Sequence, residues 1–84
     1  MNLQGEIKEL LKEAEKAGLP EDDIYNATEY LNYNEYGLAL DTLLTQLYEN
    51  DIAIPENFYQ RVEPIVLAIK LPVTEYSYIK ELIK

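Results

Sequence analysis

Apolar residues return along this chain every three or four positions, and no stretch sustains the two-residue alternation of a half-buried strand. The pattern predicts an all-α fold, a small bundle of four to five short helices with no sheet. The strongest stripe is Tyr36, Leu40, Leu43, Leu44 and Leu47, within the run Glu35 to Tyr48. That run reads as the central helix, extending from Glu35 to about Asn50. Before it, Leu3, Ile7, Leu10, Leu11, Ala14 and Ala17 step at helical spacing. Gly18-Leu19-Pro20 ends that helix, because Gly takes a left-handed turn, Leu19 folds back on the last turn, and Pro20 cannot continue the ladder. A second helix opens with Glu21, Asp22 and Asp23 against its positive end, buries Ile24, Ala27 and Leu31, and closes at Asn32-Tyr33-Asn34. Glu and Lys interleave on the first helix, where Glu9 with Lys12 and Glu13 with Lys16 stand at a favourable spacing for pairing.

Beyond the central helix, Asp51 to Pro55 forms a tight connector whose Ile52 and Ile54 tuck under the bundle. Phe58, Val62, Ile65, Val66 and Ile69 give the inner face of a fourth helix beginning at Pro55. Pro64 interrupts that pattern, and its missing N–H predicts a kink or a break near Gln60 to Glu63. After Leu71-Pro72, Thr74 reads as the N-cap of a last short helix that carries Tyr76, Ile79, Leu82 and Ile83. Eighty-four residues without repeat or low-complexity linker form one helical domain, residues 1–84. A chain of this length buries one modest core and leaves no room for a deep cavity.

Composition changes this picture through charge. Sixteen acidic residues against seven basic ones leave −9. The excess lies entirely in residues 21–63, which hold ten acids and only Arg61 as a base, whereas both flanks are close to neutral. So one-sided a field repels nucleic acid and anionic lipid and speeds encounter with a basic protein. The outer row of the second helix, with Asp22, Glu29 and Tyr33, then Glu35, and the second side of the central helix, with Asp41, Thr45, Tyr48, Glu49 and Asp51, are therefore the expected partner-binding residues. Tyr59 joins them because eight Tyr, no Trp and one Phe is a biased aromatic choice, and Tyr suits interfaces. Tyr36 and Tyr30 are expected in the core with wet hydroxyls.

The catalytic inventory is thin. Without His or Cys there is no imidazole base, no thiol nucleophile and no nitrogen or sulfur metal ligand, and the three Gly are scattered. The expectations are no enzyme, no catalytic residue, no cofactor and no metal. An N-terminus without a cationic start and apolar block, zero Cys and no long apolar run point to a cytoplasmic chain with no membrane span.

Residues 29–65, from Glu35-Tyr36-Gly37-Leu38-Ala39-Leu40 and Asp41 through Leu44, Gln46 and Leu47 to Ile54-Pro55, resemble the core motif of the MafI family of immunity proteins. Members are small acidic helical antidotes to a cognate bacterial toxin, related in role to the immunity proteins of contact-dependent growth inhibition. The resemblance implies a toxin partner, often a nuclease and in some cases an EndoU-like RNase, whose basic cleft an acidic helical face would cover as a phosphate mimic, with Tyr33 and Tyr48 as anchors. The alternative from the residues alone is a helical adaptor or regulatory subunit that binds its partner through an apolar groove.

Overall fold

A computed structural model of the chain describes residues 1–84 and has four α-helices followed by two 3₁₀ segments. They are α1 (Leu3–Ala17), α2 (Glu21–Asn32), α3 (Tyr36–Glu49), α4 (Glu56–Ala68) and the 3₁₀ stretches Val73–Glu75 and Ser77–Leu82. Asn2 caps α1 by accepting the Gly5 N–H at 3.0 Å. At its other end Gly18 adopts φ 112°, and the N–H groups of Gly18 and Leu19 bond back to the carbonyls of Glu15 and Ala14 at 3.1 and 3.0 Å. This reciprocal pair turns the chain sharply and buries Leu19 against the core. Asn34 takes the left-handed conformation, φ 60°, between α2 and α3, and α2 and α3 pack together more extensively than any other pair.

The core is wholly apolar apart from the Tyr76 hydroxyl. It joins Ile7, Leu10, Leu11 and Ala14 of α1 to the Ala39–Leu40–Leu43–Leu44–Leu47 stripe of α3, and closes over Phe58, Val62, Ile65 and Val66 of α4. α3 is the central helix: it meets α1, α2 and the C-terminal segment, packs more extensively than any other element, and buries five residues. Ile54 is buried, and the connector pairs with the chain end: the Ile54 N–H donates to Leu82 and the Lys84 N–H to Ile54, one isolated bridge rather than a sheet. No helix is long and apolar enough to cross a membrane.

Four details depart from the sequence reading. First, α4 does not break at Pro64 but runs through it. Pro64 is exposed, as is Gln60, whose carbonyl lacks its ladder partner, while Val62 before the proline and Ile65 and Val66 after it are buried in the core. Second, the last helix is 3₁₀ and Thr74 lies inside the first 3₁₀ stretch rather than capping an α-helix. Tyr76, Ile79 and Leu82 step by three, so a three-residue turn stacks all of them toward the core. Third, Glu13 reaches across to Arg61 of α4 instead of pairing with Lys16, tying α1 to α4, while Glu9–Lys12 does form at 3.7 Å. Fourth, Tyr30 stands 38% exposed on the side of α2 and Tyr36 packs against the core only half-buried, so the fully buried tyrosine is Tyr76.

Candidate partner-binding surface

Short turns make α1, α2 and α3 run up, down and up, which places the end of α1, the start of α2 and the end of α3 at one end of the bundle. A side-chain carbon on Gly18 would meet the Ile52 Cδ1 at 3.8 Å, so the exit from α3 lies beside the α1–α2 turn. Glu21, Asp22, Asp23, Glu49, Asp51 and Glu56 all belong to this end. The first three complement the positive end of α2, a local stabilisation that accounts for them without any partner. Glu49 and Asp51 have no such explanation. Glu49 ends α3 and Asp51 lies just past it, at the negative end of a helix whose last turn contains no base, and each such charge costs about 0.3–1 kcal/mol. No three carboxylates converge closely enough to hold a metal ion.

The expected residues do not form one patch. Asp22, Glu49 and Asp51 sit at the acidic end, while exposed Tyr33 and Glu35 sit at the opposite end of the α2–α3 pair, a helix length of about 18 Å away. Glu29 lies between them on α2, half-buried, and accepts the Tyr25 hydroxyl at 3.0 Å; that bond, and then the carboxylate charge, push the Tyr25 ionisation up. Asp22 borders a shallow depression with Glu15, Glu21 and Tyr25.

On α3 the second row is partly covered by the chain's own C-terminal segment. The Thr45 hydroxyl lies 3.5 Å from that of Tyr78, and the Tyr78 ring meets Tyr48 edge to face, centroids 5.2 Å apart at 84°. Burial pushes the Tyr78 ionisation up; the Thr45 bond opposes this, and the charges of Asp41 and Glu75 add to it. Asp41 and Glu49 remain exposed, as does Tyr48 at 41%. Thr45 is thus engaged within the chain. Tyr59 is half-buried on α4 against Tyr76, centroids 5.7 Å apart, with Lys80 over its ring, so it belongs to a separate aromatic group.

No family model matches the chain, and no curated protein or solved structure does either. The surface must therefore be read from its own chemistry. It offers carboxylates and tyrosine faces, acceptors and π-systems suited to Arg and Lys side chains, and its one basic row, Lys8, Lys12 and Lys16, runs along α1. Concavities are grooves only. The molecule measures 29 × 26 × 18 Å between Cα extremes, and its short dimension holds two helix layers packed about 8–10 Å apart.

Sequence reasoning did not foresee that Tyr78, Glu75 and Tyr25 border this surface. The signal for Tyr78 was present in the strict three-residue step of Tyr76, Ile79 and Leu82, which fits a 3₁₀ segment and not an α-helix. Which element that segment would lie against was not contained in the step.

Proposed function

We propose that this chain is an immunity protein that binds and neutralises a cognate bacterial toxin, a basic nuclease, by covering its cationic surface with the acidic α2–α3 side and the acidic end of the bundle. The observation that carries the reading is the concentration of ten acids and a single base in residues 21–63, including Glu49 and Asp51 where local stability disfavours them. The resemblance of residues 29–65 to the MafI motif supplies the toxin as the partner. Inhibition is steric and electrostatic: a nuclease cleft built to hold a polyanion accepts carboxylates at the positions of phosphates.

The reading predicts a toxin with a basic C-terminal domain in the adjacent reading frame, and coexpression of this chain restores growth. Association of the purified pair slows about ten-fold or more between roughly 0.01 and 1 M salt, as the Debye length falls from about 30 to about 3 Å. Unprotected growth, or an association rate indifferent to salt, rejects it. An adaptor reading would use the groove of about 210 Å³ between α1 and α2, where Leu11, Ile24 and Leu31 stand among a mostly polar lining that includes Lys8, Lys12 and Glu15. Reversing Asp41 and Glu49 to Lys abolishes binding on the first reading and leaves it intact on the second.

A further inference from the structure

The chain contains two tyrosine pairs, and only one has a cation of its own. Over Tyr59, of the Tyr59–Tyr76 pair, the Lys80 Nζ lies 5.8 Å from the ring centroid; elsewhere Arg61 stands over Phe58 at 5.9 Å. Neither Tyr48 nor Tyr78 has a Lys or Arg over its face, although their surroundings are the more anionic. Asp41 and Thr45 rise one turn apart on the α3 side that Tyr78 covers, and Glu75 stands three residues before Tyr78 in the C-terminal segment. Tyr48 stays 41% exposed, so part of the pair is open to solvent.

Resting on the reading that the partner is a basic protein, we infer that the Tyr48–Tyr78 pair, flanked by Asp41 and Glu75, receives one arginine side chain of that partner. An aromatic face attracts a cation through its quadrupole, and a carboxylate beside it completes the site by accepting the guanidinium N–H groups. Arginine suits it better than lysine because the guanidinium is planar and weakly hydrated: it stacks on a ring while its edge donates to a carboxylate, whereas an ammonium keeps more of its water. The site borders the acidic end of the bundle, since Tyr48 precedes Glu49 in the last turn of α3, but it alone there combines carboxylates with paired rings. It gives the interface a fixed anchor within a diffuse field.

The test is an NMR titration of the full chain with N-acetyl-arginine amide, with N-acetyl-lysine amide alongside and deca-arginine as a separate polycationic probe. Arginine amide should move the Tyr48 and Tyr78 ring signals together with the Asp41 signal, and more strongly than lysine amide does. Tyr48→Leu should weaken that binding about two- to five-fold, while Tyr48→Phe, which keeps the ring, leaves it unchanged. Asp41→Asn, at an exposed position, should weaken it to a similar degree and decides the matter if Tyr48→Leu does not fold. Shifts centred on Asp22 and Asp51 with the Tyr48 and Tyr78 ring signals unmoved, or indifferent to both substitutions, overturn the anchor. If deca-arginine still binds in that case, with strong salt dependence, the basic-partner reading survives the loss of the anchor; if it fails to bind at low salt, that reading falls too.

Discussion

Two glycines in this chain obey opposite rules, and substitution separates them. At Gly18 a side-chain carbon has room, its nearest neighbour being Ile52 at 3.8 Å, but φ is 112°, so Gly18→Ala should cost about 1–2 kcal/mol through the backbone alone. Gly37 lies in the first turn of α3 with nothing within 4 Å, and Gly37→Ala should stabilise by about 0.5 kcal/mol because the unfolded chain loses freedom. Urea unfolding of the two variants checks both signs. A buried tyrosine hydroxyl contributes to stability at alkaline pH. Tyr76 donates to Glu63 at 2.9 Å, and that bond, with burial and the carboxylate charge behind it, raises its ionisation above the ordinary 10.0. Its contribution is whole below pH 10.0 and disappears as pH climbs through the raised value, since the phenolate can no longer donate. Melting temperature followed from neutral to alkaline pH should therefore fall less steeply for Tyr76→Phe than for the parent chain.

At the level of elements, the sequence announced whatever depends on nearest neighbours along the chain. The Gly18-Leu19-Pro20 stop, the Asn34 turn and the α3 stripe are local chemistry, and each is found where the residue order puts it. Of the kink or break that Pro64 announced, the break is absent, for a tertiary reason. A proline facing the core would have broken α4, but this one faces water, and Ile65 and Val66 continue the buried side. Pro64→Ala should restore the missing ladder bond and, after the loss of proline's restraint on the unfolded chain, stabilise by about 2 kcal/mol in denaturant melts. A destabilised variant would mean that the ring itself supports the packing of α4. The C-terminal segment marks the other limit: Thr74 resembles an N-cap, yet the core selected a three-residue turn so that Tyr76, Ile79 and Leu82 could all be buried. Its covering of Thr45 by Tyr78 links residues 33 positions apart, a relation no local pattern encodes.

For the whole molecule, the charge was countable in the sequence but its shape was not. That Glu49 and Asp51 share an end with Glu21 to Asp23 follows from the antiparallel path of three helices, and the same path carries Tyr33 and Glu35 to the far end. The first group matters most because its carboxylates oppose one another and the α3 dipole. Neutralising Glu49→Gln with Asp51→Asn removes two charges, while Asn keeps the tolerance for the left-handed conformation that Asp51 adopts at φ 50°. The free double variant should gain about 0.5–2 kcal/mol, more at low salt than at high, because both the dipole and the mutual repulsion are relieved. If those charges serve a cationic partner, the same variant should associate with it more slowly while dissociating at a similar rate, since long-range attraction acts on encounter rather than on the docked pair. Gain of stability together with slower association identifies Glu49 and Asp51 as charges retained for encounter against the preference of the fold. Gain of stability with an unaltered association rate leaves them as surface charges only, and moves the recognition elsewhere on the α2–α3 side.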